Sequence, residues 1–176
     1  EISTETNYVE WTGSKFGGQE HYGKVYIVEG GFEIQNKMIT SGKIVMDMSN
    51  ITVDDLEDEE ENAKLLGHLK SNDFFGVEEH PTAVFDVNRS YGSDVEGELQ
   101  TLVGKLTIKG ISKDIRFDIQ LLPNGDGIIL NAPFTFDRTE FGIKFKSKRF
   151  DKVTDMFIND NVEINAKLIG EKTKNS

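Results

Sequence analysis

The sequence predicts an all-β chain of antiparallel strands. Three observations lead there. Short β-branched and aromatic runs with period-two alternation fill most of the 176 residues, glycine or asparagine separates them, and only one stretch carries helical spacing. Eight or so strands joined by short turns point to a sandwich or a barrel. The length of 176 residues suits one domain over residues 1–176, since domains commonly hold roughly 100–200 residues.

The elements follow in order. Residues 8–15 form the first strand. In 23–35, Val25 and Ile27 oppose Tyr26 and Val28, and in 37–53 Ile44, Met46 and Met48 oppose Asp47 and Ser49. Residues 58–70 break the pattern: Asn62, Leu65, Leu66 and Leu69 recur at helical spacing, acids crowd the start, and Lys64, His68 and Lys70 sit toward the end. That charge order suits the helix dipole. Ser71-Asn72-Asp73-Phe74-Phe75-Gly76 reads as a cap and a short turn delivering two phenylalanines inward, and Pro81 starts the next strand. Residues 82–91 alternate Ala83, Phe85 and Val87 with Val84 and Asp86; 96–109 set Leu102, Leu106 and Ile108 against Leu99 and Val103. Residues 111–122 alternate Ile115, Phe117, Ile119 and Leu121 with Arg116, Asp118 and Gln120, and 127–137 carry Ile128, Leu130, Ala132, Phe134 and Phe136. The last strand, 161–169, sets Val162, Ile164, Ala166 and Leu168 against Glu163, Asn165 and Lys167. Lys109-Gly110 and Asn124-Gly125-Asp126-Gly127 are hairpin turns by composition.

Composition excludes several functions. With 31 acids, 20 bases and a net charge of −11, the surface as a whole repels phosphate backbones and anionic membranes, so no nucleic-acid partner is expected. Seven of the acids fall in 54–61, so the body of the protein is only mildly acidic. This run reads as a solvated helix start and lacks the spacing of a calcium loop. Cysteine is absent, which removes disulfides, thiolate nucleophiles and cysteine-ligated metals. His21, His68 and His80 form no metal-binding pair, so no metal is expected. No nucleophile elbow, phosphate loop or dinucleotide fingerprint occurs, Gly104–Thr107 being strand, so catalytic residues are expected to be none and the chain is read as not an enzyme. The longest strongly apolar run, Val25-Tyr26-Ile27-Val28, has four residues, far short of the ~20 a membrane-spanning helix needs. What the chain offers is hydrocarbon: twelve phenylalanines, with isoleucine, valine or leucine in every strand. A packed core accounts for this, and so does a closed barrel whose interior holds one apolar ligand.

Several blocks carry a resemblance. Gly67-His68-Leu69-Lys70-Ser71-Asn72-Asp73-Phe74-Phe75, then Pro81-Thr82-Ala83-Val84-Phe85, then Gly104-Lys105-Leu106-Thr107-Ile108-Lys109-Gly110-Ile111-Ser112-Lys113, and then Arg138-Thr139-Glu140-Phe141-Gly142-Ile143 resemble the signature of the YceI family of polyisoprenoid-binding proteins. Their order and spacing match from about residue 23 to 168. Leu66-Gly67 and Tyr8-Val9-Glu10-Trp11-Thr12-Gly13 depart from the family pattern. The resemblance implies a closed, up-and-down, lipocalin-like barrel with a helical segment near its open end and an elongated apolar channel. It also implies a long-chain ligand (a polyisoprenoid, isoprenoid quinone or fatty-acid-like lipid) and no classical cofactor. It further implies a periplasmic or otherwise extracytoplasmic, bacterial setting; neither a signal nor a lipid anchor is visible in a chain that opens at Glu1.

The preferred reading is therefore non-catalytic binding, storage or transport of such a lipid. Alternation nominates Val25, Ile27, Ile44, Met46, Phe85, Val87, Leu106, Ile108, Phe117, Ile119, Phe134, Phe136, Val162 and Ile164 as channel lining. Phe74, Phe75 and Phe141 are expected at its wall or cap, and His68 and Arg138 as polar groups at the rim. The alternative is a filled structural barrel acting as a protein-interaction module through its acidic segment. A lipid isomerase or hydrolase is a third, fold-level option. A barrel has no free edge and needs no partner for stability; a homodimer is left open.

Overall fold

The computed structural model describes residues 1–152 and 156–173. Eight strands run β1 (Tyr8–Ser14), β2 (Glu20–Gln35), β3 (Met38–Asp47), β4 (Thr82–Gly92), β5 (Leu99–Ile108), β6 (Ile111–Asn124), β7 (Gly127–Asp137) and β8 (Asn161–Gly170). Each pairs antiparallel with the next, and β8 returns to β1 through Val9↔Ala166 to Thr12↔Glu163, closing the barrel in sequence order. Ring closure satisfies most of the edge groups that an open sheet would leave unpaired.

The register puts one alternate set of side chains inside. Val25 and Ile27 point inward while Tyr26 and Val28 are exposed, and Leu102 is buried while Leu99 lies outside. Two tight turns are set by backbone handedness: Asn36-Lys37 and Lys109-Gly110 all take positive φ, the conformation of two-residue hairpins whose twist matches the strands.

The two ends of the barrel differ. At the end holding the β2–β3 turn, the first residues and the end of β8, the Ile2 N–H donates to Gly30 O at 2.9 Å, and Ile2 also bridges Gly170. Behind it Ile27, Ile39, Leu102 and Ile119 pack to 2% exposure or less. A short polar chain completes this plug. The Ser90 hydroxyl accepts from Ile39 N (2.8 Å) and donates to Gln100 Oε1 (2.7 Å), while Gln100 Nε2 donates to Lys37 O (2.8 Å). No polar atom of the trio is left unpaired, as burial requires.

The opposite end is covered by two long connections. The first, 48–81, leaves β3 through a 3₁₀ turn (Met48–Asn50) and runs beside the start of β2, with Thr52 N donating to Lys24 O and Asp54 N to Tyr22 O. It then forms α1 (Glu59–Lys70). Asp58 caps the helix by accepting from Glu60 N and Glu61 N, and Glu59, Glu60 and Glu61 occupy the first turn. Asn62 holds the helix to the preceding segment by donating to Val53 O and Leu56 O. The second connection, 138–160, opens with a 3₁₀ turn (Arg138–Phe141).

β6 and β7 pair only from Gln120↔Asn131 to Asn124↔Gly127. Above that, β6 stays with β5 and β7 with β8, so the wall parts toward the covered end. Phe117 and Phe134 close the gap by stacking, with ring centroids 4.2 Å apart and planes at 13°. Gly104 makes room for a third ring: a Cβ there would lie 2.6 Å from the Phe85 ring and 2.5 Å from Asp86 O.

Two substitutions test this geometry in opposite directions. Gly67 is an exposed helical glycine with open space around its missing Cβ, so Gly67→Ala should stabilise by roughly 0.5–1 kcal/mol. Gly104→Val should cost about 1–3 kcal/mol by overpacking. Thermal unfolding reads both, and the two shifts in Tm should have opposite signs.

Candidate functional site

The barrel is not packed solid. Between the plug and the covering connections lies a cavity of about 160 Å³, lined by side chains from all eight strands. Its wall is nearly all hydrocarbon, because every strand turns its apolar face inward. Along β7 the wall is Leu130, Ala132, Phe134 and Phe136, a span of six residue steps and therefore about 20 Å of strand.

The cavity exists because small side chains face it. Ala132 lies directly opposite Ala166, and Ala83 opposite Met46. Alanine at these inward positions leaves space that leucine or phenylalanine would fill. Aromatic rings finish the surface. Phe85 tilts against Phe117 at 5.5 Å, Phe117 stacks on Phe134, and Phe74 and Phe75 reach in from the turn after α1.

Among the described residues, the polar side chains of Arg138 and Asn159 touch the cavity, and both are committed elsewhere. Asn159 Nδ2 donates to Ser14 Oγ at 2.6 Å. Arg138 donates through Nε to Asn159 O (3.0 Å) and through its terminal nitrogens to Ile143 O (2.9 Å) and Ile158 O (3.1 Å). Its guanidinium also lies 3.5 Å from Asp160, whose facing oxygen accepts no hydrogen bond. Burial lowers the Arg138 pKa, while Asp160 and Asp137 pull it back up. Arg138 therefore ties both ends of the 138–160 connection across the barrel end.

A second knot lies beside it. Asp137 Oδ1 accepts from the Thr139 amide and hydroxyl, and Oδ2 from Arg149 at 2.7 Å. Burial pushes the Asp137 carboxyl up, but these hydrogen bonds outweigh it and hold the carboxyl below the usual range. On the other connection, His21 Nδ1 lies 2.8 Å from Asp55 Oδ2. There too burial raises the Asp55 pKa, and hydrogen bonds from Tyr22 N and His21 leave it lowered overall.

With this geometry in hand, comparison with known proteins decides the family. The YceI-like domain matches residues 1–169. The chain belongs to the YceI family. A UPF0312 protein of Serratia proteamaculans is 28% identical over 151 residues, 85% of this chain and 72% of that one. A UPF0312 protein of Pectobacterium carotovorum is 27% identical over 119 residues, 68% of this chain and 58% of that protein's length. The YceI-family chain thus spans under two thirds of that relative. Burkholderia cenocepacia BcnA superposes with a TM-score of 0.73 at 16% identity, covering 97% of this chain and 99% of BcnA. A polyisoprenoid-binding domain from Saccharophagus degradans, described as implicated in plant cell wall breakdown, superposes with 0.70 at 12% identity, over 98% and 97%. These structures share the closed barrel.

In this YceI-family barrel, Val25, Ile44, Met46, Phe74, Phe75, Phe85, Leu106, Ile108, Phe117, Phe134, Phe136, Val162 and Ile164 line the cavity. Four expected lining residues do not. Ile27, Val87 and Ile119 face the interior but are buried in packed core, and Phe141 packs behind Phe136 at 5.6 Å with 1% exposure. Alternation finds the inward face but not how far along the strand the space begins. Arg138 is a correction of another kind: expected at the rim, it is 2% exposed and braces the covering loop from within. His68 sits at the covered end off the cavity wall, edge-on to Phe74 (4.9 Å) and Phe145 (4.6 Å). The sequence reading missed Val9 and Trp11 of β1 as wall residues, though 8–15 was read as strand. Ile143 and Ile158 also line the space; they come from irregular backbone and carry no periodic signal.

Removing the brace should be costly. Arg138→Met leaves three carbonyls and Asp160 short of a partner, so a loss of roughly 3–5 kcal/mol is expected in denaturant unfolding. Arg138→Lys should fall between, because it keeps the charge but not the fork. Asp137 should add an acid-dependent increment. Its folded pKa is depressed, so its contribution is complete above the ordinary carboxyl value of about 4 and is lost as pH falls through the folded value. Stability measured against pH should drop less steeply on the acid side in Asp137→Asn.

Proposed function

We propose that this chain binds a long-chain isoprenoid or similar amphiphilic lipid in its lumen, and stores or carries it without chemical change. The single observation that carries this reading is an elongated space walled by hydrocarbon inside a closed sheet. A site of that kind recognises length and apolarity. Each buried CH₂ contributes ~0.8 kcal/mol, so a long tail binds well with no polar contact inside. The headgroup stays at the covered end, near His68. Family membership supports the reading, and so does the shared fold of the Saccharophagus degradans polyisoprenoid-binding domain. We place the working compartment outside the cytoplasm, in the periplasm of a bacterial cell, because a lipid must be shielded from water wherever it crosses between membranes. A monomer suffices for this function; pairing into a homodimer would add nothing to the lumen.

Native mass spectrometry of gently purified protein should show an adduct of several hundred daltons, and an environment-sensitive apolar probe should enter the emptied chain. Ala132→Phe places a ring in the lumen and should weaken probe binding at least tenfold in a folded protein. Phe117→Asp should abolish uptake or folding. Asp118→Asn should do neither, since Asp118 lies outside the wall, accepting a hydrogen bond from the Thr101 hydroxyl at 3.0 Å. Neither adduct nor probe uptake would refute the reading.

A further inference from the structure

Net charge conceals a local reversal. Residues 144–152 of the second covering connection read Lys-Phe-Lys-Ser-Lys-Arg-Phe-Asp-Lys: five bases and one acid in a chain of net charge −11. Arg149 is neutralised by Asp137 (2.7 Å) and Asp160 (3.2 Å). Lys144, Lys146 and Lys148 make no ion pair among the described residues.

Those lysines stand over aromatic rings instead. Lys144 Nζ lies 4.5 Å from the Phe150 ring, Lys146 Nζ 5.6 Å from Phe145, and Lys148 Nζ 5.6 Å from Phe16 of the β1–β2 turn. Phe16 and Phe150 are 50% and 52% exposed. Two half-exposed phenylalanines thus adjoin lysines that pair with no acid among the described residues. Backbone bonds make the turn and the connection one surface: Phe16 N donates to Phe157 O, Asn159 N to Ser14 O, and Lys15 bridges Ile158.

The patch has the right chemistry for one occupant and the right place. Interleaved lysine and phenylalanine suit an anionic lipid surface, where cations sit at headgroup level and rings enter the acyl boundary. An acidic protein would need shaped apolar pockets for both phenylalanines besides its carboxylates, whereas a lipid surface takes the rings without a shaped site. The patch also lies at the end of the barrel where Gly13, Ile143 and Ile158 line the lumen. The acidic run does not cancel it. Its last acids, Glu59, Glu60 and Glu61, occupy the first turn of α1, whose other end meets this connection through His68 and Phe145, while Asp54 and Asp55 pair with Lys24 and His21 of β2. Twelve helical residues span about 18 Å, beyond the ~10 Å screening length at moderate salt.

We propose that the face formed by Phe16, Lys144, Lys146, Lys148 and Phe150 docks the barrel onto an anionic lipid surface. This extends the lumen reading by saying where a lipid is exchanged. The test is flotation of the full chain with phosphatidylcholine vesicles, with and without a third of phosphatidylglycerol, at low ionic strength. The wild type should float with the anionic vesicles alone and be released by salt. A lysine near such a surface is worth about fivefold in partitioning, so Lys144→Gln/Lys146→Gln/Lys148→Gln should weaken binding by at least tenfold. Phe16→Ser/Phe150→Ser should do likewise, whereas the charge-matched Lys43→Gln/Lys105→Gln/Lys167→Gln should bind as wild type. Overturning results are no flotation, equal binding to neutral vesicles, equal loss in the charge-matched control, or a wild-type dimer that the patch variants dissolve. Apolar-probe uptake by the same proteins keeps the two readings apart. Uptake without flotation overturns docking alone, and flotation without uptake overturns the lumen reading alone.

Discussion

The structure turns on a sheet closed around more volume than its own side chains fill. Protein interiors ordinarily pack to crystal density, and unfilled space in a core is destabilising. This barrel tolerates its lumen because the deficit is confined. Alanines 132 and 166 set the wall back at mid-strand and Ala83 at the start of β4, while isoleucines 27, 39 and 119 are packed without space. A hydrocarbon tail placed in the lumen would supply the contacts that the wall lacks, so binding and stability draw on the same surface.

The two ends of the barrel solve different problems. The plugged end needs permanence, and it has it: apolar packing, short turns and a fully paired Ser90–Gln100 chain. The covered end is built from irregular backbone whose carbonyls need donors. Arg138 supplies three of them from one rigid fork, and Asp137 and Arg149 lock the same connection from outside. A side chain at a cavity wall with a formal charge suggests headgroup recognition, yet here the charge is spent on the protein's own backbone. The parting of β6 from β7 adds to the contrast, because the stacked pair Phe117–Phe134 replaces ladder hydrogen bonds there with a contact between side chains.

Much of this was legible in the amino-acid order. Strict alternation in 111–122 and 127–137 specifies strands and their inner faces, and Asp58 with the acids after it marks the start of α1 within a residue. Setting Leu99 and Leu102 on opposite faces also holds, since Leu99 is exposed and Leu102 buried. Depth was not legible. Ile27 and Val25 obey the same rule, but only the position of the plug decides which of them sees open space. Nor could alternation reveal Arg138's burial, because the carbonyls that hold it belong to residues 143, 158 and 159, brought together by the fold. The net charge was equally uninformative about the 144–152 segment, since an average over the chain hides a local excess of the opposite sign.

The central claim is that the lumen is a dry slot for a hydrocarbon tail. It is tested most directly by crystallising the protein with a long-chain amphiphile brominated near its tail end and locating the bromine by anomalous scattering. The account predicts a peak deep in the barrel, among Leu102, Leu130 and Leu168, with the headgroup at the end covered by α1. Bromine only on the outer surface, or a lumen closed by rearranged side chains, would contradict it.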